Sequence, residues 1–396
     1  LWLDYVLSYD EVTNESENWN KPLLWKSFSE DQLLARVTAH WNPRKNHAFA
    51  FGGEYSHEEF GKRFHGTPIS NPSFTWDYSA SYGWMPRWNT DRYALFAEYQ
   101  WNINDSLTVF LNDRIDWHPF TDSMHSPRAA LIITPGERDT FKLMATRGVM
   151  SDTAAEMWIS HNVAHIDTPV TKMDAFELRY ERQHDDNLWF GGSVFMHEIK
   201  GAKDTWRIED RSTVILGDVE TYGLELEAGY HTGKLDIDVS HSYTKLDEID
   251  ERQPRQWWSH YTAAQYGFGD DLAQWHNHTT KLQAAYRVDD KLSISGQLCV
   301  LWGNPGGKDW AEFRDSIYAD FDYDVGFDEP FKASAYLNMG LEYKLSPNTI
   351  FTLTGYNLLG LIDKDLNKRR VGFDEQLPGH YRVQPVAFSG SLTHRF

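Results

Sequence analysis

Within the stretch 218–230 apolar and polar side chains alternate from Tyr222 to Tyr230. Tyr222, Leu224, Leu226, Ala228 and Tyr230 stand on one side, and Gly223, Glu225, Glu227 and Gly229 on the other. The stretch 234–245 repeats this with Leu235, Ile237, Val239 and Tyr243 against Asp236, Asp238, Ser240 and Ser242. In 331–345 one side carries Ala333, Ala335, Leu337, Met339, Leu341, Tyr343 and Leu345. A period of two belongs to the β-strand, whose successive side chains leave opposite faces of a sheet. The pattern predicts about sixteen strands. They fall near 1–9, 31–42, 46–58, 91–101, 106–117, 126–134, 139–147, 173–183, 188–200, 218–230, 234–245, 275–287, 292–303, 331–345, 350–358 and 381–396. The last alternates to the C-terminus, with Val386, Phe388, Gly390, Leu392, His394 and Phe396 on one side. Segment 126–134 alternates poorly and is placed by its spacing.

The connections sort themselves by length. Short turns are expected at PRKN 43–46, NIND 102–105, PGER 135–138, HDDN 184–187, HTGK 231–234, VDDK 288–291 and SPNT 346–349. Between them fall longer, aromatic or acidic connections at 10–30, 59–90, 118–125, 148–172, 201–217, 246–274, 304–330 and 359–380. A soluble sandwich or propeller has no reason to send every second connection to one end at length. A transmembrane β-barrel does, because its periplasmic turns are short and its outer loops long. The expected fold class is therefore all-β, a transmembrane antiparallel β-barrel. No apolar run approaches eighteen residues, so a transmembrane helix is excluded, whereas alternating strands average out in hydropathy. A net charge of −20 argues against a nucleic-acid partner. The single cysteine, Cys299, rules out an intrachain disulfide framework and a multi-cysteine metal site. Residue 1 lies inside the alternating stretch LWLDYVLSY and is not Met, so the chain is expected to begin within a longer protein. The turn phase runs the last strand from outside to periplasm. That places Phe396 at the inner interface as an aromatic membrane anchor.

Several segments then carry a resemblance. They are HSPRAALIITPGERDTFKLMATRG at 125–148, SDTAAEMW at 151–158 with Glu156, KMDAFELRYE at 172–181, GDVETYGLELEAGY at 217–230, HSYTKL at 241–246 and LNMGLEYKLSPNTIFTLTGYNLLG at 337–360. In this order, with closure on Phe396, they resemble the C-terminal part of the barrel of TonB-dependent outer-membrane receptors, over about residues 91–396. No Pro stands where that family often has one after the Arg of Ser-Pro-Arg. The resemblance implies a bacterial outer-membrane protein whose complete barrel has about twenty-two strands. A plug domain that TonB contacts would fill it. Residues 1–396 are then expected to be one barrel domain, its C-terminal portion, with neither plug nor first strands; closure as a smaller barrel is the alternative. The implied function is TonB-dependent active uptake of a large scarce nutrient, a ferric siderophore first, with haem or cobalamin behind it. A plugless diffusive porin and a surface ligand-binding barrel are the competing readings. The implied partners are the TonB complex through the plug, a ferric chelate or haem ligand, lipid and lipopolysaccharide, and the outer-membrane assembly machinery through Phe396. No enzyme activity, cofactor or nucleic acid is implied.

Transport of this kind needs contact surface rather than a nucleophile, and two outer loops supply it. Loop 59–90 is aromatic, with Trp76 and Trp84 as candidate ligand contacts. Loop 246–274 offers Arg255, Trp257, Trp258 and His260, a pairing of guanidinium and rings suited to an anionic chelate. The plainer reading of any one of these rings is membership of an interfacial belt or packing of the loop onto the barrel rim. WHNH at 275–278 raises a metal question, but His276 and His278 complete no known spacing and are expected to line the wet upper lumen. The acidic run from Glu312 to Glu329 lacks the spacing of a calcium loop and reads as solvated charge. Glu177, Arg179, Glu181, Glu225, Glu227, Asp236 and Asp238 alternate with apolar residues. A charge facing lipid costs up to about 4 kcal/mol, so these belong to the lumen. Cys299 shares the side of Ser293, Ser295 and Gln297 and is expected there too, with no redox role.

Overall fold

The computed structural model describes residues 1–14, 28–60, 88–152, 157, 160–161, 168–204, 214–251, 276–303, 333–363, 368–370, 381–383 and 385–395. Strands account for nearly all of them. These are β1 (Trp2–Asn14), β2 (Phe28–Arg44), β3 (His47–Phe60), β4 (Trp88–Asn104), β5 (Leu107–Trp117), β6 (Met124–His125), β7 (Arg128–Ile133), β8 (Asp139–Met150), β9 (Thr171–Gln183), β10 (Leu188–Asp204), β11 (Val214–His231), β12 (Leu235–Glu251), β13 (His278–Arg287), β14 (Leu292–Trp302), β15 (Ser334–Ser346), β16 (Thr349–Tyr356), β17 (Lys368–Arg370), β18 (Tyr381–Val383) and β19 (Ala387–His394). Seventeen share one sheet, while β17 and β18 pair with each other. Strands adjacent in sequence pair antiparallel, as in β1–β2, β2–β3, β3–β4, β4–β5, β11–β12, β12–β13, β13–β14, β14–β15 and β15–β16.

Every predicted segment contains a strand, and two are corrected in form. Segment 126–134 is broken: β6 and β7 both pair with β5 and flank Ser126 and Pro127. Proline has no N–H to give to a ladder, which is why the strand stops there. Segment 381–396 is likewise two strands. β18 lies against β17, and only from Ala387 does the chain join β16. Pro385 falls between the two strands, with the same missing donor.

All seven short turns lie where the sequence places them, and in four of them side-chain bonds explain why. Asp185 Oδ1 accepts the backbone N–H groups of Asn187 (2.8 Å) and Leu188 (2.9 Å). Asp289 Oδ1 does the same for Lys291 (2.7 Å) and Leu292 (2.8 Å). Asn104 accepts from Ser106 N at 2.9 Å, and Thr232 Oγ1 from Leu235 N at 2.9 Å. Short polar side chains that bond the backbone two or three residues on are what reverse the chain.

The chain folds into two compact units. The first comprises Leu1–Leu131, Ala145–Asp174 and Lys200–Ile215. On one face of β2 to β5 Val37, Phe51, Leu95 and Leu111 are exposed, Leu95 to 59%. The registers put Arg36, Glu54, Arg92 and Arg114 on the other. The second unit comprises Ile132–Met144, Ala175–Ile199 and Leu216–Phe396. There Leu226, Val239, Leu282, Ile294 and Met339 are exposed, opposite Glu225, Asp238, Gln283, Ser293 and Asn338. Buried apolar packing is sparse by comparison; one cluster is Val219 and Leu246 with Ile199 against them. Long exposed apolar rows backed by a polar face are the arrangement of strands whose outer solvent is lipid.

Close approach fixes two glycines on the polar faces. A Cβ on Gly52 would meet the Val37 carbonyl and stand 2.7 Å from Phe96 Cζ, because the ring of its cross-strand partner lies over it. Gly223 is covered in the same way by Phe195, whose Cε2 would lie 2.9 Å from such a Cβ.

Candidate functional site

The densest polar constellation of the first unit is built across three strands. Register pairs Arg36 of β2 with Glu54 of β3, Glu54 with Ala94 of β4, and Ala94 with Asp116 of β5. Alanine at 94 lets Arg114 reach over β4. Its Nη2 lies 2.7 Å from Glu54 Oε1, and it grips Asp116 through Nε (2.8 Å) and Nη2 (2.7 Å). Glu54 Oε2 accepts from Arg36 Nε at 2.6 Å and also from its Nη2. Glu54 and Asp116 are both buried, so these are charge-assisted bonds in a partly dehydrated setting.

Arg92 is served less well. Its Nη2 lies 3.5 Å from Glu58 Oε1, an oxygen that also accepts from Gln32 Nε2 (3.0 Å) and Ser56 Oγ (3.3 Å). Its Nε is buried without an acceptor among the described residues. Arg36, Arg92, Arg114 and Arg128 border one cavity of about 620 Å³, with Asn112 and Asp116 among the other walls. Arg92, Asp116, Arg128 and Met150 stand near the ends of β4, β5, β7 and β8 that lead away from the short turns.

In the second unit the charges expected in the lumen do occupy the polar face. Arg179 donates from Nε to Glu181 (2.6 Å) and from Nη2 to Glu227, and Lys142 Nζ donates to the other Glu181 oxygen at 2.8 Å. Asp238 lies 3.2 Å from His231 Nε2. Cys299 falls on this face as predicted, opposite Lys281 and Tyr336.

The ligand contacts singled out in the sequence lie outside the described residues: Trp76, Trp84, Arg255, Trp257, Trp258 and His260, as does Phe396. His278 is a correction. It belongs to the exposed apolar side of β13 with Leu282 and Tyr286, not to the polar face. Its ring stacks on Trp302 at 3.7 Å, and its Nδ1 is 3.3 Å from His241 Nε2. The strand starts at His278, so its phase is set by pairing with Tyr243 and Trp302 and not by the WHNH spacing. Among the described residues no group of three or more His, Cys, Asp or Glu could hold a metal ion.

Sequence reasoning missed the aromatic rows on the exposed faces. Near the short turns of the first unit, Phe49 stacks on Tyr99 at 4.5 Å, and Trp41 tilts against Phe49 at 5.3 Å. Farther along the strands Tyr55 meets Tyr93 at 5.3 Å. Trp101 and Tyr93, eight residues apart on β4, are separated by roughly 26 Å of extended chain. That is close to the ~25 Å apolar band between two aromatic girdles. Odd-numbered rings at both ends of β3 and β4 were the available signal.

The family model "TonB dependent receptor-like, beta-barrel" matches residues 3–358. No curated protein matches the chain. Solved structures do. The FrpB iron transporter from Neisseria meningitidis (F3-3 variant) aligns with a TM-score of 0.71 at 15% identity, over 100% of this chain and 60% of that one. A mutant of the ferric enterobactin receptor PfeA from Pseudomonas aeruginosa gives 0.66 at 16%, over 100% and 59%. The siderophore receptor PirA from Acinetobacter baumannii gives 0.62 at 12%, over 100% and 59%. At such identities the likeness is one of fold, and the chain spans about three-fifths of these relatives' length.

Proposed function

Since the chain belongs to the TonB-dependent receptor β-barrel family and lies in the bacterial outer membrane, we propose that it serves TonB-dependent active uptake of a bulky iron chelate, a ferric siderophore first and haem second. The observation that carries this reading is the family match over residues 3–358. Neighbours named as an iron transporter, a ferric enterobactin receptor and a siderophore receptor support the choice of ligand. The proposed partners are TonB, acting through a plug domain, the chelate, and the lipid and lipopolysaccharide around the exposed apolar rows. Phe396 is proposed to engage the outer-membrane assembly machinery and to anchor the last strand. The work is transport and asks for no catalytic group.

Binding and uptake should separate. Cells lacking TonB are expected to bind the ferric chelate and fail to accumulate it; equal accumulation with and without TonB would favour a diffusive porin instead. Trp76, Trp84, Arg255, Trp257, Trp258 and His260 are the proposed outer contacts. Replacing Arg255 and Trp258 together with Ala should weaken chelate binding by about 2–4 kcal/mol, the scale of paired interface anchors. Titration of the purified variant reads this directly, and unchanged affinity removes both residues from the site.

A further inference from the structure

The cavity bordered by Arg36, Arg92, Arg114 and Arg128 holds more hydrogen-bond donors than its carboxylates can take. Of its four guanidinium groups, those of Arg36, Arg92 and Arg114 reach Glu54, Glu58 and Asp116. Each guanidinium has five N–H groups in a fixed fork. Arg36 spends Nε and Nη2 on Glu54, and Arg114 spends Nε and Nη2 on Asp116 and Glu54. Their Nη1 groups have no bond among the described residues. Arg92 leaves a buried Nε without an acceptor, and Arg128 meets no carboxylate among the described residues. Glu54 thus acts as a clamp: by holding two arginines at once it fixes their forks before any ligand arrives. Pre-organised donors bind more tightly because the cost of ordering them is met in advance. Asn112 and Ser126 add small polar groups to the wall, and beside Gly148 a Cβ would meet nothing within 4 Å.

We propose that this cavity is a subsite for a multivalent oxyanion, a ligand with two or more carboxylate or phosphate groups. The donor set favours carboxylate and phosphate groups, which guanidinium forks hold bidentately. A volume of about 620 Å³ falls within the ordinary range for small-molecule sites. The local charge also runs against the whole chain, whose net charge is −20. The inference deepens the transport reading, on which it rests for its physiological ligand: the chelate carried should display acid groups, and neutral chelates should gain nothing here.

The test uses the purified protein with metal-free citrate and inorganic phosphate as probes. Citrate should bind with an affinity that falls steeply with salt. Arg92→Gln with Arg128→Gln should weaken citrate binding by about tenfold or more. It should leave binding of a neutral ferric trihydroxamate unchanged. Arg128→Gln alone, at an exposed position, guards against loss of fold and should still weaken citrate severalfold. Arg92→Lys with Arg128→Lys should restore only part of the affinity, because the charge returns without the fork. Absence of citrate binding in the unaltered protein, or equal affinity in the Gln variants, overturns the subsite. Inorganic phosphate, a single group, binding as tightly as citrate and lost in the same variants would overturn the requirement for two or more groups. The transport reading fails separately, by TonB-independent accumulation, and citrate binding to the purified protein does not depend on that result.

Discussion

On the first unit's polar face, Arg36 and Arg114 close on Glu54 and Asp116, while Arg92 and Arg128 stand beside them with donors unspent. In the second unit Arg179 bonds Glu181 and Glu227 and Lys142 bonds Glu181, on a face that also carries Glu225, Asp236 and Asp238. Both faces use ion pairs within a strand, between neighbouring strands and over an intervening one, and alternation put them on the polar side of their strands. The balance differs. Where carboxylates outnumber cations, Arg179 and Lys142 both close on carboxylates and the network is a tie between strands. Where guanidiniums outnumber carboxylates, the same kind of tie leaves donors over, and a structural network becomes a candidate binding wall. Burial sharpens the difference: the Glu54 side chain is 5% exposed, against 30% for Glu227.

The largest expected effect follows from that burial. Arg114→Ala strands Asp116 and halves the support of Glu54, and should destabilise the barrel by about 2–3 kcal/mol. That is below the full cost of breaking a buried pair, because Arg114 keeps some solvent. Arg179→Ala leaves better-hydrated carboxylates and should cost about 1 kcal/mol. Thermal or denaturant unfolding of the two variants side by side measures the gap, and equal losses would erase the distinction between the networks.

A next smaller effect concerns the glycines beneath the rings. Gly52→Ala and Gly223→Ala should each cost about 1–3 kcal/mol, the range for overpacking against fixed neighbours. Only Gly52→Ala displaces a ring, Phe96, that borders the cavity. Citrate affinity should therefore fall in Gly52→Ala and hold in Gly223→Ala. A fall in both would mean that the loss follows destabilisation in general and not the displacement of Phe96.

The smallest effect lies in the turns, which serve as a control because they belong to neither face. Backbone N–H groups of Asn187 and Leu188 hold the Asp185 carboxyl below the usual carboxylate range, and those of Lys291 and Leu292 do the same for Asp289. A depressed carboxyl adds stability above its unfolded value, near pH 4, and that contribution is lost as pH falls through the folded value. Unfolding followed from pH 7 down to pH 3 should show a slight acid loss. Asp185→Asn with Asp289→Asn should flatten it, since the amide oxygen still accepts the N–H bonds and does not titrate. An unchanged acid limb would place the loss elsewhere.

Much of this was legible along the chain because strand geometry and turn chemistry are local. Alternation alone assigned Glu225, Glu227, Asp236, Asp238 and Cys299 to the polar side, and Asp185 and Asp289 marked turns through bonds spanning two or three residues. Tertiary structure decided what depends on register between strands. Arg114 meets Glu54 sixty residues away only because Ala94 stands between them. Nothing in the spacing of either residue announces that meeting. The face of His278 was decided in the same way: near a strand end, a one-residue choice of start reverses every side chain, and pairing with Tyr243 and Trp302 made the choice. A surplus of arginine in one place is a property of several strands at once. The sequence by itself determined which side of each strand is polar, and the registers between strands determined which charges cancel and which remain.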